Sequence, residues 1–161
     1  MKKVTVGLLL IAVTLSCITR QDAINRAMEW VNAHVPYDSS SIHNGYMQVC
    51  SGLVGYAWQF PKPGGAASYE LLPGGYCKQI SKGELEMGDI MVCPGTHELL
   101  FHSWASSDKS SYWGIELGGP HGSFKHQIAW PYQADQNPKC YIPCKVVKAC
   151  SAAPEDLLQT E

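Results

Sequence analysis

The chain opens on Lys2 and Lys3, runs apolar from Val4 to Leu15, and turns small and polar at Ser16, Cys17 and Thr19. A basic start, a short apolar stretch and a polar boundary make the pattern of a secretory signal, assigned to residues 1–19. Thr5 and Thr14 interrupt the run, which falls short of the roughly 20 apolar residues a spanning helix needs, so no stable membrane anchor is expected. Leu15-Ser16-Cys17 faintly matches a lipoprotein cleavage site, but Thr14 stands where that site wants an apolar residue. Thr19 and Asp22 then form a capping box, and Ala23, Ile24, Ala27, Met28 and Val31 recur at helical spacing, predicting an amphipathic helix from Arg20 to Ala33 that Pro36 stops. A polar loop from Tyr37 to Gln48 leads to a second short helix, Cys50 to Trp58, which Pro61 and Pro63 cannot continue.

Beyond the Met87-Gly88-Asp89 turn the apolar period changes to that of strands. Ile90–Cys93, Glu98–Trp104, Tyr112–Leu117 and Phe124–Trp130 read as an antiparallel meander, with Lys145-Val146-Val147 as a last short strand. Helices first and strands after predict an α+β fold with the N-terminal helices packed on one face of the sheet. No internal repeat or linker divides the chain. A single domain is expected over residues 20–150, including a Cys-rich extension at 133–150, followed by a flexible tail at 151–161.

Composition narrows the function. A chain of 161 residues with 45% hydrophobic content and five Trp folds around a real core. With 16% charged residues and a formal charge of −2, which becomes −4 once Lys2 and Lys3 are removed, nucleic acid is not an expected partner. A monomer is expected. Seven Cys behind an export signal point to an extracellular or lumenal, oxidising setting. Discounting Cys17 leaves six, an even number that either pairs completely or spares Cys50 and one other. Cys140, Cys144 and Cys150 lie near His121 and His126, but the cysteine spacings fit no compact zinc pair, and disulfides explain them better.

Three residues carry candidate chemistry. Cys50 sits at a helix start, where peptide dipoles and unpaired N–H groups favour the thiolate. The following Ser51-Gly52 would let backbone approach a substrate, and the Cys50 amide could donate to an oxyanion. A disulfide-bonded or buried cysteine is the plain alternative from spacing alone. His97 begins a strand after the Pro94-Gly95-Thr96 turn and is a candidate base, although a single His is more often structural. Glu116 stands between Ile115 and Leu117, where a carboxylate needs either a partner or solvent. The aromatic residues Trp104, Tyr112, Trp113, Trp130 and Tyr132 offer a rival use, a carbohydrate-stacking surface, though core packing is their commoner role.

Taken in order, Tyr37, Cys50-Ser51-Gly52-Leu53-Val54, Gly88-Asp89-Ile90, His97-Glu98-Leu99-Leu100-Phe101, Ser103-Trp104-Ala105, Tyr112-Trp113 and Glu116 resemble the NlpC-type family of papain-like cysteine peptidases. The likeness spans about Arg20 to Tyr132. It implies a papain-like fold and a secreted thiol protease that hydrolyses peptide bonds in bacterial peptidoglycan stem peptides, typically between D-glutamate's side-chain carboxyl and the diamino acid, with no metal or other cofactor. Transferred residue by residue, it makes Cys50 the nucleophile, His97 the base and Glu116 the residue that orients His97. Tyr37 and Ser51 would bind substrate. Activity is then expected to decline in acid as His97 protonates. The family usually has Asp immediately before the nucleophile, and Val49 stands there instead, a departure that bears on substrate recognition. Cys140, Cys144 and Cys150 fall outside the resemblance and read as disulfide staples. The lack of a separate wall-binding domain leans towards an antibacterial protein released against foreign cells. The alternative is a catalytically inactive wall- or glycan-binding module that uses the same cleft.

Overall fold

The computed structural model describes residues 17–132 and 140–147. The assigned leader up to residue 16, the tail at 151–161 and Cys150 lie outside the described residues.

Helix α1, Arg20–Asn32, starts as its sequence requires: the Thr19 hydroxyl accepts from the Asp22 amide while the Asp22 carboxylate accepts from the Thr19 amide. It ends before Pro36 can act, with Ala33 as its cap and His34 turned to a φ of 50°. Ala23, Ile24, Ala27 and Trp30 form its buried stripe. Its first residue, Arg20, places a guanidinium nitrogen 2.7 Å from Asp89, a carboxylate with no exposure, and so ties the helix start to the sheet.

The stretch read as a loop is a hairpin, β1 (Asp38–His43) with β2 (Tyr46–Gln48). Asn44 and Gly45 take φ of 50° and 83°, the paired positive values a tight two-residue hairpin turn demands. The hairpin is held to the helices by Trp30 edge-on to His43 and by the Tyr46 hydroxyl donating to the Phe60 carbonyl at 2.7 Å. Helix α2, Cys50–Trp58, follows at once and agrees with its sequence boundaries. Its glycines serve packing. A Cβ on Gly52 would lie 1.7 Å from the Met47 carbonyl oxygen, so Gly52 lets β2, not a substrate, come close to the helix.

The main sheet has six antiparallel strands: β3 (Cys77–Gln79), β4 (Ile90–Cys93), β5 (His97–Trp104), β6 (Ser111–Gly118), β7 (Gly122–Ala129) and β8 (Ile142–Val146). β4 to β7 form the expected meander. β8 does not extend it but inserts on the other side of β4, carrying β3 outside it, to give the order β3-β8-β4-β5-β6-β7. Within the Cys-rich stretch the described residues, 140–147, therefore belong to the sheet and are not an appendage. Two disulfides tie it in, Cys77–Cys144 between β3 and β8 and Cys93–Cys140 from the end of β4. Cys17 is disulfide-bonded as well and Ile18 packs on the core, so the folded unit reaches back past Arg20 and the cysteine parity drawn without Cys17 does not hold.

Both faces of the sheet are covered. Leu100, Ile115, Leu117, Ile90 and Val92 meet the two helices, while Met91, Leu99, Phe101, Tyr112 and Ile128 build a second apolar layer behind. Tyr112 is fully buried and Tyr132 is 5% exposed, so the aromatic set is chiefly core and not an open stacking surface. Trp104 and Trp130 lie against one another with the Lys82 ammonium over both rings.

Candidate active site

Cys50 is the first residue of α2, and it is the free cysteine among the described residues. The helix packs across β5 and β6, bringing its N-terminus to the start of β5, where His97 stands. Register does the rest. Leu100 pairs with Ile115, which sets Leu99 opposite Glu116 and leaves His97 diagonal to Glu116 on the same face. His97 Nε2–H donates to Glu116 Oε2 at 2.5 Å, which leaves Nδ1 as the nitrogen for the Cys50 thiol, the other group that acts on His97 electrostatically. The structure thus brings together the three residues singled out for chemistry.

The electrostatics define an ion pair. Burial alone would push the Cys50 thiol up, but the hydrogen bond and charge of His97, with backbone N–H groups of Glu98 and Ser51, outweigh it and hold the thiol below its ordinary value. Burial opposes the charged form of His97 too, yet its thiol and carboxylate partners push the imidazole up to about 10. Glu116 is 2% exposed, and its hydrogen bonds and the nearby His126 and His97 bring it down to about 2 despite that burial. At neutral pH Glu116 is ionised and His97 carries its proton, beside a thiol held below its ordinary value. With His97 pushed up to about 10, its protonation does not fall in the acid range expected of it, and the Cys50 thiol, held below its ordinary value, is the other group of the pair to take up a proton as pH falls.

Residues the sequence did not single out as site members complete the arrangement. Glu116 Oε1 accepts from His126 Nε2–H on β7, and the Tyr132 hydroxyl donates between the two oxygens, 2.9 Å from Oε2 and 3.2 Å from Oε1. The alternation of β7 carried the signal for His126, since its register with β6 places Phe124 opposite Glu116 and His126 on the same face. Beside these groups lies a cavity of about 500 Å³ lined by His97, Glu116, His121, Phe124, His126 and Tyr132.

The two expected substrate residues are less engaged. Ser51 is nearly buried and contributes its backbone N–H to the thiol. Tyr37 is 49% exposed ahead of β1, with no side-chain hydrogen bond to the site among the described residues. Val49 takes the cap position of α2 with no side-chain cap bond, so the first N–H groups of that helix are left unserved by it. Cys140 and Cys144 are spent in disulfides and are not metal ligands. Glu98, next to His97, faces the helix side with no exposure and no hydrogen-bond partner for either carboxyl oxygen among the described residues.

No protein-family model matches this chain, and no curated protein matches it closely.

Proposed function

We propose that the protein is a secreted cysteine endopeptidase of the papain-like NlpC type, hydrolysing peptide bonds in peptidoglycan stem peptides, with the bond from D-glutamate's side-chain carboxyl to the diamino acid as first choice. One observation carries the reading: a free thiol at a helix N-terminus faces an imidazole whose other nitrogen is held by a buried, charged carboxylate. A merely structural cysteine needs none of these three features together.

In this mechanism the Cys50 thiolate attacks the amide carbonyl carbon, and the Cys50 backbone N–H, an unpaired donor of the helix N-terminus, stabilises the oxyanion. The C–N bond breaks as His97 Nδ1–H gives its proton to the departing amine. Neutral His97 then takes a proton from water, hydroxide oxygen adds to the thioester, and the carbon–sulfur bond breaks to return thiolate and imidazolium. Glu116 keeps one tautomer and stabilises the charged ring throughout. No metal or other cofactor enters any step.

The disulfides Cys77–Cys144 and Cys93–Cys140 support an oxidising destination. With Cys17 engaged in the fold, the leader would be cut at or before Ser16. Mass spectrometry of soluble peptidoglycan fragments after incubation with the protein tests the reading, with Cys50→Ala beside it. New stem-peptide fragments from the first and none from the second support it. No cleavage by either across several wall chemistries, with the fold intact, overturns it in favour of a binding module that uses the same cleft.

A further inference from the structure

The Glu116 carboxylate is held from three sides. His97 takes Oε2, His126 takes Oε1, and Tyr132 bridges the two. A carboxylate with one partner can rotate about its terminal torsion and offer either oxygen at a range of angles. With donors on both oxygens it is fixed in one plane, and the imidazole it binds is fixed with it. Tyr132 alone does not accomplish this, because a single hydroxyl hydrogen shared between two oxygens pins neither, and its contact to Oε1 is the longer one at 3.2 Å. At 2% exposure Glu116 has little water to replace a missing donor. The His126 side chain is itself 32% exposed and its ring lies tilted against Phe124, centroids 4.4 Å apart, so burial does not call for an imidazole at that position.

We propose that His126 is a positioning residue for the Cys50–His97 pair, acting by holding the Glu116 carboxylate in the orientation that receives His97. The chain of contacts runs from β7 through β6 to β5 and ends at the thiol on α2. Other titratable groups face it: Glu98 near the thiol, Tyr112 and Tyr132 near Glu116, and His121 across Phe124. All are retained in the variants below, so they cancel in the comparison. The inference rests on Cys50 being the nucleophile, but its test reads the thiolate directly and needs no substrate. A failure of hydrolysis is therefore told apart from a failure of this proposal.

The measurement is the rate of alkylation by iodoacetamide from pH 4 to 10, corrected with Cys50→Ala, for the oxidised wild type, His126→Phe and His126→Gln. Phe keeps a ring on Phe124 and donates nothing. The Gln amide places an N–H donor where His126 Nε2 stands. In His126→Phe the half-point of the reactivity profile moves up by about one pH unit, the expected share of a lost hydrogen bond to a charged group. His126→Gln returns it to within about 0.3 unit of wild type. A His126→Phe profile that overlays wild type, or a His126→Gln profile displaced as far as His126→Phe, overturns the proposal. Should His126→Phe fail to fold, His126→Asn takes its place: one methylene too short to reach Oε1, it must show the displacement that Gln does not, and an Asn profile on top of wild type refutes the role.

Discussion

Replacing Glu98 by Met asks what a carboxyl group does in an apolar interior without a partner. Glu98 has no exposure, and neither oxygen meets a hydrogen-bond partner among the described residues. Burial pushes its carboxyl well above the ordinary 4.5, the Cys50 thiolate pushes the same way, and His97 pulls back only in part. The native protein thus keeps a proton that the unfolded chain releases above pH 4.5. Stability from this group is complete below that value and falls as pH rises towards the native one, by about 1.4 kcal/mol per pH unit for one proton. The unpaired acid carries a further burial cost of about 1–3 kcal/mol, which a flexible thioether of similar length does not. Glu98→Met is therefore expected to be more stable by about 1–3 kcal/mol at pH 5.0, with the gap wider at pH 6.5. Urea unfolding followed by tryptophan fluorescence, disulfides intact and Cys50→Ala in both chains to remove the thiolate, measures both numbers. A gap that stays constant over this interval refutes the protonated carboxyl. A variant less stable at both pH values refutes the absence of a partner.

Other expectations follow from the site and its supports. The pH profile of kcat/KM on stem-peptide fragments should fall on the acid side as the Cys50 thiol, held below its ordinary value, takes a proton and on the alkaline side as His97 gives one up near 10; a limb centred at the ordinary histidine value would contradict the raised imidazole. Glu116→Gln keeps the shape and removes the charge that supports His97, and kcat should drop roughly 100-fold or more with KM little changed. Gly52→Ala sets a methyl 1.7 Å from the Met47 carbonyl and should cost about 3 kcal/mol or more in chemical denaturation; a change under 1 kcal/mol would show that β2 can retreat. Removing Cys93–Cys140 by a paired Ser substitution opens a closure of 47 residues and should lower stability by about 4 kcal/mol in the same assay.

What could be read in advance follows from how local each signal is. The Thr19–Asp22 box and the α1 stripe, the bounds of α2 and the meander from β4 to β7 depend on neighbours within a few residues, and all are found. Asn44-Gly45 is a local turn signal too, but its flanking strands are short and polar and carry no apolar alternation that sets them apart from a loop. β8 reaches its place through a contact across the whole sheet, and nothing within Ile142–Val146 says that the strand will lie between β3 and β4. The same division holds in the site. Cys50, His97 and Glu116 each stand out by type and position, whereas His126 and Tyr132 become partners of Glu116 only through strand register and the return of the chain after β7. Glu98 looked like an ordinary strand residue; its isolation is a property of the packing above it.

The placement of β8 also sets when the molecule is finished. Thiol and imidazole lie in the first two thirds of the chain, but the strand that flanks β4 and the partners of Cys77 and Cys93 come near its end. A chain still leaving the ribosome, or held in reducing surroundings, has made its reactive cysteine before it has the backing strand and cross-links that steady the scaffold beneath it. The sheet beneath the site is therefore complete only once residues 140–147 are in place and Cys77 and Cys93 have been oxidised.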